Sequence, residues 1–167
     1  RAVDIILALP IILIALVLVV SLGSSFQLII VILAIAIWPL FSRVTRGEVL
    51  RVKDMDYVAL AQVAGASTLR IMFVHILPGV ANSVIVVATL LVGVIILLEA
   101  ALSFLGAGVP PPTPAWGSML AEGRDRIAVA WWISAIPGIA IFLTVLSLNL
   151  FGDWLRDALD PKLRHLE

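Results

Sequence analysis

Glu99 is the one carboxylate near the interior of any long apolar run in this chain, so it is the first residue to ask for chemistry. A charge at the centre of a bilayer costs ~2.5–3.5 kcal/mol on insertion scales, and a carboxylate kept there marks a proton relay, an ion site or a substrate path. Counting from Gly79 at ~1.5 Å per residue puts Glu99 about 30 Å along its helix, near an interface. Two readings follow: a helix-end polar group satisfied by backbone or water, or part of an outer gate or substrate mouth shared with Trp116. Other reactive side chains are sparse. His75 and His165 lie ninety residues apart, cysteine is absent, and the apolar runs hold no paired carboxylates. A nucleophile with its base, or a metal cluster, cannot be assembled from such spans, so the chain reads as no enzyme and as holding no metal or cofactor. No G-x-x-x-x-G-K-[ST] loop appears, which assigns any ATP to a partner.

The second stretch suited to a task is Asp56-Tyr57-Val58-Ala59-Leu60-Ala61-Gln62-Val63-Ala64-Gly65-Ala66-Ser67, continuing to His75-Ile76-Leu77-Pro78. Asp54 or Asp56 can cap a short helix over Tyr57–Ala64, and Gly65 stands where a left-handed C-terminal cap favours a residue without Cβ. Ser67 then caps a second helix that carries Arg70 and His75 and ends at Pro78. Ala59, Ala61, Ala64, Gly65 and Ala66 keep the first helix thin, so another protein can approach its backbone closely.

The elements that must position these residues are membrane helices. Of 167 residues, 62% are hydrophobic and 13% charged, against roughly 45–50% and 25% for a soluble domain. The net charge of zero gives nucleic acid no purchase. No charge occurs between Ile5 and Ser42, too long for one span of ~20 residues and suited to two joined at Ser21–Ser25. The expected helices are about 4–22, about 27–46, Ile76 to about Leu105, and Ile127 to Gly152. Pro10, Pro39 and Pro137 fall inside them, where kinks are expected.

Nine Lys or Arg residues flank one side of this arrangement: Arg1, Arg43, Arg46, Arg51, Lys53, Arg70, Arg156, Lys162 and Arg164. Arg124 and Arg126 stand alone on the other. Basic residues resist translocation, which puts the middle segment and both ends of this chain in the cytoplasm. Residues 1–25 could be read as a signal peptide, but Asp4 sits where a basic region belongs and the apolar run is too long. A natural protein extending further at the N-terminus is the expectation. The outer loop, about 104–128, contains Ala107–Trp116 with its proline run, expected as a stiff polyproline II spacer and interfacial anchor. Trp131 and Trp132 suit an interfacial belt. Asn82 and Asn149 suit interhelical hydrogen bonds.

The segment from Tyr57 to Pro78 resembles the EAA loop of ABC-importer permeases, E-A-A-x3-G-x9-I-x-L-P. Ala61, Gly65, Leu77 and Pro78 match; Ala59, Leu60 and His75 replace the glutamate, the first alanine and an isoleucine. Without that glutamate a possible salt bridge to the partner is lost. Arg1–Asp4, Leu98–Gly106, Pro111–Gly117 and Asn149–Pro161 are similar to the oligopeptide, dipeptide and nickel branch of that superfamily, in its order and spacing.

The resemblance implies an all-α, polytopic, type I ABC importer permease-like bundle. This chain would supply the last four of six membrane helices plus a cytoplasmic coupling-helix pair, in one domain over 1–167 with a coupling loop at about 47–78. It further implies a permease subunit that forms a path for a small solute, such as a peptide or nickel complex, in a prokaryotic inner membrane. Partners would be ABC ATPase subunits, a second permease subunit, an external substrate-binding protein and lipid. Tyr57, Ala59, Leu60, Ala61, Gly65, Ala66, Leu77 and Pro78 would engage the ATPase, whose closure would push the first cytoplasmic helix and, through Gly65, the next span. The outer loop would meet the binding protein. An ion-coupled secondary transporter would want ionisable groups at the midplane, where Glu99 is a poor candidate. A purely structural subunit leaves the middle helices unexplained.

Overall fold

Pro10 divides the first apolar run. In the computed structural model, which describes residues 2–159, helix α1 (Ala2–Leu7) stops short of it and α2 (Ile11–Leu22) starts after it. Pro10 sits at the N-cap with extended backbone, its carbonyl accepting from Leu13 and Ile14 at 2.9 and 3.2 Å. The single helix expected over about 4–22 is therefore two pieces, because proline has no N–H and its ring excludes the preceding turn. Alone, α2 at 12 residues is about 18 Å long and shorter than the ~30 Å hydrocarbon layer.

Three longer helices are each apolar enough to cross a membrane. Helix α3 (Phe26–Lys53) opens with Ser25, whose hydroxyl accepts from the Leu28 amide at 3.2 Å. It runs seven residues past the expected end, carrying Arg43 and Arg46 and a Glu48–Arg51 ion pair of 2.8 Å beyond the apolar part. Helix α6 (Leu77–Phe104) and α8 (Trp132–Leu159) complete the set. Helix α8 starts later and ends later than Ile127–Gly152, since residues 127–131 form turns in which the Arg126 carbonyl accepts from Val129 and Ala130. Pro39 and Pro137 lie within continuous helices.

Helix α6 is the axis of the fold, packing against α3, α8 and a short helix α7 (Trp116–Arg124). At the α7 end, Ala15 and Val19 of α2, Ile29, Ile32 and Leu33 of α3, Leu102 of α6 and Ala107 form one buried cluster. Small residues bring α6 and α8 together: a Cβ on Gly93 would lie 3.3 Å from Asn149 Oδ1, and one on Gly152 3.0 Å from Thr89 Oγ1. Close backbone approach through glycine is the packing mode of helices in lipid, where burial of apolar surface drives nothing. Asn82 donates across the bundle to the Leu159 carbonyl at 2.9 Å, and Asn149 abuts Gly93. Outward-facing Ile136, Ile139, Phe142 and Leu143 of α8 are more than half exposed, an arrangement that fits hydrocarbon and not water.

Candidate functional site

The polar interruption folds as a side arm at one end of the bundle. Helix α4 (Asp56–Val63) is followed by Gly65 at φ +77°, then α5 (Thr68–Arg70). The Gly65 and Ala66 amides donate to the Gln62 and Ala61 carbonyls, both at 3.0 Å, closing the left-handed cap. Ser67 Oγ accepts from the Arg70 amide at 3.4 Å, the expected cap of the second helix. The cap of α4 differs from expectation. Met55 takes that position without a side-chain bond, Asp54 terminates α3, and Asp56 lies in the first turn, where its charge favours the helix dipole.

The second helix does not end at Pro78. It passes through a π-helical turn, Ile71–Ile76, directly into α6, with Pro78 in the first turn of that helix. The Leu77 amide reaches back five residues to the Met72 carbonyl. Proline's ring would strike the carbonyl four residues earlier in a regular helix, and the wider turn just ahead of Pro78 gives it room. One continuous helix of 37 residues, Thr68–Phe104, thus links the side arm to the far face.

Val58 is fully buried and Ala61 half-buried, fixing α4 against the bundle. Tyr57 Oη donates to the His75 carbonyl in the π turn at 3.4 Å, and Gly79 leaves it space, since a Cβ there would come within 3.0 Å of Oη. The outward face is apolar: Leu60 is 68% and Val63 87% exposed. Ala59, Gly65, Leu77 and Pro78 are also exposed, Ala66 half-buried. These exposed apolar residues, on a helix outside the long apolar spans, form the candidate contact surface of the arm.

A second site lies at the other end of α6. Glu99 Oε1 accepts from Ser103 Oγ at 2.6 Å, and Ser103 Oγ accepts from the Val109 amide at 3.3 Å. Glu99 and Trp116, read together as an outer mouth, both line a cavity of about 550 Å³ between α3, α6, α7, α8 and the 105–115 loop. Two expectations for this loop change. The proline run folds into a turn, the Thr113 amide donating to the Pro110 carbonyl at 3.3 Å, and Trp116 begins the nine-residue α7. Arg124, at the end of α7, sits 5.9 Å from the centroid of Phe104. The π turn, the α7 helix and the Tyr57–His75 bond escaped sequence reading; of these only the π turn had a signal, in Pro78, which in sequence reads as a helix end.

Three long apolar helices, α6 the axis between α3 and α8, and a side arm beyond them define a polytopic helical membrane protein. The sequence matches the binding-protein-dependent transport system inner membrane component family over residues 1–165, and the chain belongs to that family. Among its relatives, the Di/tripeptide transport system permease protein DppC of Pseudomonas aeruginosa is 50% identical over 165 residues, covering 99% of this chain and 54% of that protein. The Glutathione transport system permease protein GsiD of Salmonella paratyphi A is 46% identical over 164 residues, covering 98% and 54%. The same-named protein of Escherichia coli O1:K1 is 45% identical over 164 residues, again covering 98% and 54%. The chain spans about half the length of these curated relatives.

Removing the Tyr57 hydroxyl isolates its bond from the packing of its ring. A hydrogen bond of this kind contributes ~0.5–1 kcal/mol. Tyr57→Phe is expected to lower the stability of the folded chain by about that amount, with unchanged amounts of protein in the membrane. Thermal melting of the two proteins in one detergent checks this.

Proposed function

We propose that the chain is the pathway-forming part of a permease subunit in an ATP-driven importer of small peptide-like solutes. The α4 arm faces the cytoplasm and seats on a separate ATPase subunit. A second permease subunit completes the pathway, and an external binding protein delivers solute to the α7 end. The relatives' names support the solute class, since a di/tripeptide and glutathione are both short peptides.

The observation that carries the reading is the join between a surface and a shaft. Exposed Leu60 and Val63 stand on a helix held by Val58 and Tyr57 to the π turn from which α6 runs to the other face. An ATPase that binds one tilt of this arm more tightly than another shifts the bundle by that difference in affinity and by no more. A photoreactive amino acid at Val63 is expected to capture an ATPase subunit in intact membranes, whereas one at Ile139, on the apolar face of α8, is not. Capture of no ATPase from Val63 would refute the arm's assignment.

A further inference from the structure

We propose that the Glu99 cavity is a recognition site for a protonated primary amine, the group a solute with a free amino terminus presents as it enters the bundle. The proposal rests on the permease reading for its context and on the cavity for its chemistry.

The carboxylate has most of its accepting capacity unused. An ionised carboxylate offers about four lone-pair sites. Here one oxygen takes the single Ser103 hydroxyl proton, and no cationic side chain among the described residues pairs with Glu99. The cavity lining includes no Lys, Arg or His. Arg124, at the end of α7, is placed over the Phe104 ring instead. A charge carried this close to hydrocarbon without a cationic partner is costly unless water or a ligand compensates it.

The network holding Glu99 is also built to keep it aimed. Ser103 is 4% exposed, and its hydroxyl is fixed between the carboxylate it donates to and the Val109 amide it accepts from. Its proton therefore cannot turn away, and the second carboxylate oxygen remains for the cavity. Trp116, also in the lining, favours the same sign of charge, because an indole face attracts ammonium ions. Apart from Thr113, the remaining walls, Phe26, Ile30, Leu33, Ile95 and Met119 among them, are apolar and reject a bare anion while accepting a hydrocarbon side chain. A cavity with one carboxylate, one indole and no cation fits an amine attached to an apolar body.

The amine could instead belong to a phosphatidylethanolamine headgroup, and the test separates the two. The chain contains no cysteine, and Met119, 43% exposed, lines the cavity. In the full transporter, Met119→Cys gives a thiol whose labelling can be compared between aminoethyl and sulfonatoethyl methanethiosulfonate, the unsubstituted transporter being the blank. Glu99→Gln is expected to lower the cationic-to-anionic rate ratio roughly tenfold, the scale of one charge-assisted contact. Glu99→Asp should keep most of the ratio, and a neutral methanethiosulfonate should label all variants alike, which reports an intact cavity. Alanylalanine should slow the cationic reagent in phosphatidylcholine liposomes, and N-acetylalanylalanine should not. An unchanged ratio in Glu99→Gln, equal protection by the two peptides, or charge selectivity only when phosphatidylethanolamine is present would each overturn the proposal. Labelling needs no ATPase, so a failure of the α4 assignment leaves this result readable.

Discussion

Gly117→Ala is expected to lower the stability of the folded chain by about 3 kcal/mol or more, the upper range for forcing one methyl into a filled site. The reason is what the methyl would meet. A Cβ at Gly117 would lie 2.5 Å from the Ala100 carbonyl oxygen, 2.6 Å from Ser103 Cβ and 2.8 Å from Ala100 Cα. Two of those atoms are backbone of α6, so no rotamer change relieves the overlap, and α7 must lift from the axis helix. Lifting α7 opens the cavity wall at Trp116 and unseats the loop that Ser103 holds through Val109. Gly108 is packed on the same Ser103 side chain and backbone, so both ends of the loop depend on small residues against one turn of α6. Gly47→Ala provides the contrast. Nothing lies within 4 Å of a Cβ there, and the residue sits inside α3. Alanine should gain up to ~1 kcal/mol of helix preference at that position. Thermal melting of the two variants in one detergent should move in opposite directions.

Much of this architecture was legible because lipid leaves few options. A run without charge from Ile5 to Ser42, a second from Ile76 to Leu98 and a third after Ile127 must be helical where they meet hydrocarbon, since no water is present to take unpaired backbone groups. The Gly65 and Ser67 signals held for a similar reason: a left-handed backbone and a capping hydroxyl are local requirements of a short helix pair. What local reading missed depends on neighbours. Pro10 was expected as a kink and is a break, while Pro78 was expected as an end and is passed through. The two cases have identical local chemistry. They differ in the π turn that widens the helix before Pro78 and in the Tyr57 hydroxyl brought onto that turn from eighteen residues away. Helix α7 was hidden for another reason. Gly117 and Gly123 weaken its intrinsic preference, and what holds it is backbone contact: a Cβ on Gly117 would meet Ala100 and one on Gly123 would meet Ser134. Likewise Glu99 and Trp116 could be paired only as a suggestion, because sixteen residues of loop and helix end separate them in sequence and a shared cavity wall joins them in space.

On the proposed coupling role, Gly65→Ile is expected to reduce ATP-driven uptake more than tenfold while leaving insertion and thermal stability of the bundle nearly unchanged. Unlike Gly117, Gly65 has nothing within 4 Å of where a Cβ would sit. The penalty is therefore conformational. At φ +77° an L-residue loses about 1–2 kcal/mol, and a β-branched one is a still rarer occupant of that region. The turn would move to a negative φ, breaking the Gly65-to-Gln62 and Ala66-to-Ala61 bonds and redirecting the chain into Ser67. Since α4 joins the long helix through this turn and through Tyr57, a misdirected turn would, on the proposed role of the arm, leave it able to seat on an ATPase but poor at transmitting its tilt. ATP hydrolysis should then continue with little solute moved. Gly65→Asn separates conformation from bulk, because asparagine enters the left-handed region at small cost and should retain most of the uptake. The decisive comparison is uptake per ATP hydrolysed for the two variants at matched expression. Normal uptake in Gly65→Ile would mean that the turn is a passive connection, and that force, if it enters at α4 at all, reaches α6 by the Tyr57 contact alone.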